Sequence, residues 1–145
     1  MYIRVTKEFG FEMAHALLGY DGPCKNIHGH SYWLAVTFKG KPINDISNPK
    51  LGMVVDFSDI KRLIMSKIIE MFDHSLVLNK KNSSQLWPKL QDQKLFLVDF
   101  QPTCENMLIH FVETIKAILP SGLTLHHLLL RETSTSYAEW YEEDN

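Results

Sequence analysis

Residues 28–38 read His-Gly-His-Ser-Tyr-Trp-Leu-Ala-Val-Thr-Phe, and from Tyr32 onward every second position is aromatic or aliphatic. A period of two is typical of a β-strand. In a strand, His28 and His30 share one face about 6 to 7 Å apart along the chain, while Gly29 points away. The stretch therefore predicts a strand that starts with two histidines able to reach one metal ion.

The segment 2–15 carries the same alternation. One of its faces is apolar and ends in a histidine: Ile3, Val5, Phe9, Phe11, Met13 and His15. A loop with two glycines and a proline follows, so the two strands are predicted to pair antiparallel. This pairing brings His15, near the end of the first strand, toward His28 and His30, with Cys24 in the loop between them.

Three imidazoles and a thiol thus converge within sixteen residues. Three protein ligands are typical of a catalytic zinc site, which keeps one position open for water or substrate. Two other interpretations stay open: a turn or hydrogen-bonded core pair at His28 and His30, or a closed structural site with Cys24 as a fourth ligand. Structural sites are commonly built from paired thiols, and Cys104 is far away in sequence. The open site is the favoured hypothesis.

Length and composition favour a single domain spanning residues 1–145, because the chain has 145 residues and is 45% hydrophobic. With 15 basic and 17 acidic residues there is no basic excess to hold nucleic acid, and no polybasic run suggests a membrane surface. Apolar stretches are too short for a membrane span, and the N-terminus lacks a signal peptide's apolar block. The expected partner is a small molecule, and two distant cysteines fit the cytoplasm.

Two helices are predicted farther along the chain. The first starts after Asp56 as N-cap and runs to Asp73, and the second starts after Thr103 as N-cap and ends before Pro120. Each carries a helical apolar stripe that we assign to the core: Phe57, Ile60, Leu63, Ile64, Ile68 and Met71 in the first, and Met107, Leu108, Phe111, Val112, Ile115 and Leu119 in the second.

Strands are predicted at 95–100, 123–132 and 137–141, and exposed surface insertions at 40–52 and 79–94. The order of the main elements is strand, strand, helix, helix, strand, strand. This order predicts an α+β fold in which a four-stranded antiparallel sheet carries two helices on one face.

The complete set of motifs resembles one known family. The motifs are His15, Cys24-x-x-x-His28-Gly-His30, Asp73-His74, Pro102-Thr-x-Glu-Asn106 and Arg131-Glu132-Thr133. Over the whole chain they resemble the 6-pyruvoyl-tetrahydropterin synthase family. The short gap between the cysteine and His-Gly-His resembles its 6-carboxytetrahydropterin synthase branch, which serves queuosine and deazapurine biosynthesis. The resemblance implies a T-fold (tunnelling fold) of order ββααββ and a homohexamer of two stacked trimers.

The resemblance also implies roles for the metal and for proton transfer. His15, His28 and His30 would hold zinc, which stabilises negative charge on a coordinated oxygen. Cys24 would be the general base that removes a carbon-bound proton. Asp73 and His74 would be a second proton-handling pair in which the carboxylate orients the ring. From the residues alone, Asp-His at a helix end can equally be a cap and a dipole-matched cation.

For the substrate, the resemblance implies that Glu132 anchors the pterin. Its two oxygens match the adjacent ring N–H and amino donors of a 2-amino-4-oxopterin. Thr103 and Glu105 would help to line the pocket, although helix capping alone would also explain them. An exposed carboxylate at a strand end is the other interpretation of Glu132. We assign structural roles to four remaining residues: Cys104, His110, His126 and His127.

The expected function is that of a zinc-dependent lyase. It would convert 7,8-dihydroneopterin triphosphate to 6-carboxytetrahydropterin, releasing acetaldehyde and triphosphate. The alternative within the fold is pyruvoyl synthase chemistry, which eliminates triphosphate without cutting a carbon-carbon bond. From another class, a non-catalytic binding module with structural zinc stays open. A hydrolase is less favoured because no His-Glu-x-x-His motif occurs. Few cations are available for three phosphates, and Lys25 is one candidate.

Overall fold

The computed structural model describes residues 1–81, 83 and 89–145, and its described strands form one mixed sheet. The strands are β1 (Ile3–His15), β2 (His28–Gly40), β3 (Ser75–Asn79), β4 (Leu95–Val98), β5 (Thr124–Arg131) and β6 (Tyr137–Tyr141). They lie in the order β4-β3-β1-β2-β5-β6. The α+β class is confirmed, and the predicted strands at both ends of the chain are present.

The sheet has six described strands, not four, and it is not entirely antiparallel. β3 runs parallel to β1, and β4 runs parallel to β3. β3 escaped prediction because all five of its residues are buried, so the short segment has no alternation to reveal it. β4 was predicted as a strand from 95 to 100, but it ends at Val98 and extends the sheet as an edge.

The pairing of β1 with β2 is antiparallel over their full length, as predicted. His15 lies opposite His28, and Met13 lies opposite His30. Because the side-chain period of a strand is two, this register fixes the three histidines on one face of the sheet. The same face of β1 continues into the core through Phe9, Phe11 and Met13, all of them buried.

The helices begin at the predicted caps. Asp56 accepts a hydrogen bond from the Ser58 backbone N–H at 2.7 Å and starts α1 (Phe57–Ile64). A π-helical turn at Met65–Ile69 and the short α2 (Glu70–Phe72) continue it. Thr103 accepts from the Asn106 N–H at 3.3 Å and starts α3 (Cys104–Lys116). The caps satisfy backbone donors that have no partner within the helix.

The larger of two hydrophobic clusters lies between the helices and the histidine-bearing face of the sheet, and a smaller one is formed by Ala16, Leu76 and Leu78. Phe111 on α3 is fully buried there, with ring centroids 6.2 Å from Phe11 of β1 and 5.2 Å from Phe72 of α2. The predicted stripe of the second helix points inward, whereas in the first helix Phe57 and Met71 are exposed and Ile69 and Phe72 are buried in their place, because the π-helical turn shifts the buried face. The sheet and both helical segments are therefore held together by the same contacts.

Replacing Phe111 with alanine is expected to lower the free energy of unfolding by about 3 to 5 kcal/mol, because it leaves a cavity between three elements. Denaturant titration followed by circular dichroism measures the loss. Ile109→Ala is the matched control, since Ile109 is 51% exposed on the same helix; a change of similar size in both variants would contradict the assigned core.

The structure describes the first predicted surface segment completely and the second one only in part. Residues 41–56 contain no helix or strand; the Ile43 N–H donates to the Met53 carbonyl, and the Gly52 N–H donates to the Ile43 carbonyl. In the segment 79–94, residues 82 and 84–88 lie outside the described residues, and residues 91–94 are exposed. Among the helices of the described chain, none combines the length and apolar character that crossing a membrane requires.

Candidate metal centre and adjoining cavity

Three imidazoles form a compact cluster where β1 ends and β2 begins. One ring nitrogen each of His15, His28 and His30 lies within 4.8 Å of the other two. The Nε2 atoms of His15 and His28 are 3.1 Å apart. Among the histidine, cysteine, aspartate and glutamate side chains of the described residues, these three histidines form the group that is arranged to hold a metal ion.

Backbone carbonyls orient two of the rings. His15 donates from Nδ1 to the Pro102 carbonyl at 2.7 Å, and His28 donates from Nδ1 to the Asn26 carbonyl at 2.7 Å. A proton on Nδ1 leaves Nε2 with a free lone pair, as in metal-ligating histidines generally. Burial lowers the pKa of His15, which favours the neutral imidazole that binds metal. The donor set therefore fits a divalent transition-metal ion.

A cavity of about 390 Å³ opens beside His15 and His28. The structure brings four further predicted site residues to its wall: Cys24, Thr103, Glu105 and Glu132. They come from the loop after β1, from the start of α3 and from the end of β5. Residues more than a hundred positions apart in sequence thus line the same cavity.

Cys24 lies in a short 3₁₀ turn, Pro23–Lys25, between β1 and β2. Its thiol is free, half-buried and part of the cavity wall. It does not belong to the cluster of mutually close ligand atoms that the histidines form. The turn is held in place because the Cys24 carbonyl accepts the Leu17 N–H at 2.9 Å. The geometry presents a sulfur to the cavity without adding it to the histidine cluster.

Glu132 follows β5 directly and points its carboxylate toward the histidines. Its Oε1 lies 3.5 Å from Nε2 of His15 and 3.9 Å from Nε2 of His30. The hydroxyl of Tyr32 donates to the same oxygen at 2.9 Å. Burial raises the pKa of Tyr32, so the hydroxyl stays protonated and remains a donor. Sequence reasoning gave Tyr32 no role, although its position in the alternation of β2 already placed it on the histidine face.

Cys104, interpreted as structural, also lines the cavity. Its thiol donates to the Leu130 carbonyl at 3.3 Å. Burial raises the pKa of Cys104 to about 12, with the negative charge of Glu132 adding to the shift. A thiol that stays protonated is a poor base and a poor metal ligand, which fits the structural role assigned to Cys104.

Asp73 and His74 form the predicted pair, in the predicted loop. They connect α2 to β3, and Nδ1 of His74 lies 2.9 Å from Oδ2 of Asp73. Asp73 also accepts the Glu12 backbone N–H at 2.9 Å, and this bond is the main reason that the pKa of Asp73 is lowered. The carboxylate therefore stays ionised and holds the ring.

The pair is not brought to the Cys24 cavity within one chain. His74 is 77% exposed and lines a separate hollow of about 380 Å³. Glu12 and Ser31, which alternate with the metal-site residues along β1 and β2, share that hollow with His30 of the cluster, so the hollow lies at the edge of the metal site and not inside the Cys24 cavity. The sequence predicted the contact between Asp73 and His74 but not that His74 lines a hollow separate from the Cys24 cavity.

Comparison with known proteins assigns the chain to a family. The model of the 6-pyruvoyl tetrahydropterin synthase family matches residues 4–143. The chain is 36% identical to a 6-carboxy-5,6,7,8-tetrahydropterin synthase of Haemophilus influenzae, covering 96% of this chain and 99% of that protein. It is 34% identical to the protein of the same name from Rickettsia bellii, covering 94% and 99%.

The fold agrees with this assignment. The structure of Caenorhabditis elegans 6-pyruvoyl tetrahydropterin synthase superposes with a TM-score of 0.68 at 23% identity and covers 97% of this chain and 96% of that one. By sequence and by architecture, this chain belongs to the 6-pyruvoyl tetrahydropterin synthase family, with the T-fold expected of its members.

Proposed function

We propose that the protein is a zinc-dependent 6-carboxy-5,6,7,8-tetrahydropterin synthase of queuosine and deazapurine biosynthesis, working in the cytoplasm. It would convert 7,8-dihydroneopterin triphosphate and water to 6-carboxytetrahydropterin, acetaldehyde and triphosphate. One observation carries the proposal: the histidine cluster, the Cys24 thiol and the Glu132 carboxylate meet at one cavity. The names of the relatives at 34 to 36% identity support this branch of the family.

His15, His28 and His30 would hold the zinc ion through Nε2. When bound, zinc supplies positive charge that stabilises developing negative charge on substrate oxygens. The carbonyls of Pro102 and Asn26 keep the rings of His15 and His28 oriented before the metal arrives. Preoriented ligands lose little conformational entropy on binding, which supports a stable metal centre.

Glu132 would anchor the pterin. Its carboxylate oxygens accept the ring N–H and the amino group of the pterin, which fixes the side chain of the substrate beside the histidines. Thr103 and Glu105 line the same cavity at the start of α3, and we propose that they contact the ligand there. Anchoring the ring this firmly converts proton transfer into a step between positioned groups.

Cys24 would act as the general base that removes a proton from carbon. Its place on the cavity wall, outside the histidine cluster, supports this role over that of a fourth ligand. Asp73 and His74 would handle a second proton. Because His74 does not line the Cys24 cavity within one chain, we propose that this pair serves the cavity of a neighbouring subunit in a homohexamer of two stacked trimers.

The products distinguish the candidate reactions. Zinc-loaded protein incubated with 7,8-dihydroneopterin triphosphate is expected to yield 6-carboxytetrahydropterin, acetaldehyde and triphosphate in equal amounts, measured by mass spectrometry. Metal removal with a chelator should stop all three, and added zinc should restore them. A pyruvoyl product without acetaldehyde would establish the alternative chemistry of the family, and zinc-loaded protein without turnover would favour a binding module.

A further inference from the structure

The hydroxyl of Tyr32 links the proposed pterin anchor to the metal centre. Tyr32 is 2% exposed, and its ring stacks on Phe11 with centroids 5.3 Å apart. The same ring stands edge-on to His15 and His30, at 6.2 and 5.6 Å. Its hydroxyl donates to Oε1 of Glu132 at 2.9 Å. Because the ring is fixed on both sides, the hydroxyl is a donor of fixed position.

Oε1 of Glu132 is close to the ligand atoms of the cluster. It lies 3.5 Å from Nε2 of His15 and 3.9 Å from Nε2 of His30. Two ligand atoms bonded to one tetrahedral zinc at about 2.0 to 2.2 Å are roughly 3.3 to 3.6 Å apart. A small movement of the carboxylate would therefore make it a fourth protein ligand, and four protein ligands are the mark of a closed, structural site.

We propose that Tyr32 is a positioning residue that keeps the Glu132 carboxylate off the metal and available to the ligand of the cavity. A carboxylate oxygen accepts about two hydrogen bonds. With Tyr32 on Oε1, one acceptor site on that oxygen and both on Oε2 are left for ligand donors. The part of this inference that concerns the pterin rests on the proposed function, whereas the part that concerns the metal rests on the cluster alone.

Tyr32→Phe removes the hydroxyl and keeps the stacked ring. Tyr141→Phe is the matched control, because Tyr141 also donates to a glutamate oxygen, Oε1 of Glu139 at 3.3 Å, outside the cavity. Two binding measurements report on the role without turnover. One is fluorescence titration with neopterin, an oxidised pterin without phosphates, and the other is competition for zinc against a chelator.

In zinc-loaded Tyr32→Phe, neopterin is expected to bind about 10- to 100-fold more weakly, because a charged acceptor loses its fixed donor. The same variant is expected to hold zinc about tenfold or more tightly, because Glu132 becomes a ligand. Adding Glu132→Gln to Tyr32→Phe should remove the extra zinc affinity. Tyr141→Phe should change neither quantity. A purely structural role for Tyr32 would loosen the zinc site, not tighten it.

A Tyr32→Phe variant that holds zinc no more tightly than the unaltered protein overturns the proposal, and so does neopterin binding that is measurable and equally strong in both proteins. If neither protein binds neopterin while the variant holds zinc more tightly, the positioning role is supported and the pterin ligand is refuted. The failure of the inference and the failure of the proposed function thus give different results.

Discussion

Cys24→Ala is expected to lower turnover of 7,8-dihydroneopterin triphosphate by about 10²- to 10⁴-fold, the contribution typical of a positioned general base. The zinc content and the folded structure should stay intact. The reason is geometric: the thiol lines the cavity but lies outside the cluster of mutually close ligand atoms. Steady-state kinetics, elemental analysis and thermal unfolding measure the three quantities on the same preparation.

Cys104→Ala is the matched control, since it makes the same substitution at the second thiol of the cavity. Burial raises the pKa of Cys104 to about 12 and its thiol donates to the Leu130 carbonyl. A protonated thiol removes no proton from carbon, so this variant should lose far less activity. If Cys24→Ala releases its metal and melts early, the four-ligand structural site is correct; if it turns over normally, Cys24 is not the base.

His28→Ala is expected to lose the metal and, with it, all measurable activity. The cluster has three protein ligands, and removal of one leaves two imidazoles, too few for the open three-ligand site. The bound zinc should fall below roughly one tenth of an ion per chain after dialysis against chelator, measured by elemental analysis. His28 is preferred to His15 for this test because His15 is 2% exposed, and its loss would also leave a hole in the core.

His127→Ala controls for the loss of an imidazole elsewhere in the sheet. His127 lies on β5, where its Nε2 is 3.1 Å from Oε1 of Glu139, and it is not part of the cluster. The control should keep its zinc and its activity. Full zinc occupancy in His28→Ala would contradict the proposed ligand set, whereas zinc loss in both variants would point to a folding defect.

Strands with a long alternating hydrophobic pattern could be predicted from the sequence, whereas a short buried strand could not. β1 and β2 are thirteen residues long, so their alternation could be read, and the turn residues between them predicted the antiparallel pairing that brings the three histidines together. β3 is five buried residues long, and a segment covered on both faces has no polar side to mark it. Its absence from the prediction is also why the sheet was expected to be antiparallel throughout.

Contacts between elements that are distant in sequence could not be predicted either. Tyr32 meets Glu132 because Trp33 of β2 pairs with Arg131 of β5, a register set by the fold and not by any local motif. The pairing of Asp73 with His74 was local and predictable. Its place in the fold depended on the unpredicted pairing of β3 with β1, beside which the His74 N–H donates to the Glu12 carbonyl of β1.

Diffraction from crystals of the zinc-loaded protein, recorded on both sides of the zinc absorption edge, tests the central claim most directly. We expect one anomalous peak per chain within about 2.0 to 2.1 Å of Nε2 of each of His15, His28 and His30. The Cys24 sulfur should lie beyond bonding distance, facing the same cavity. No peak at the cluster, or a peak about 2.3 Å from the Cys24 sulfur, would contradict the account.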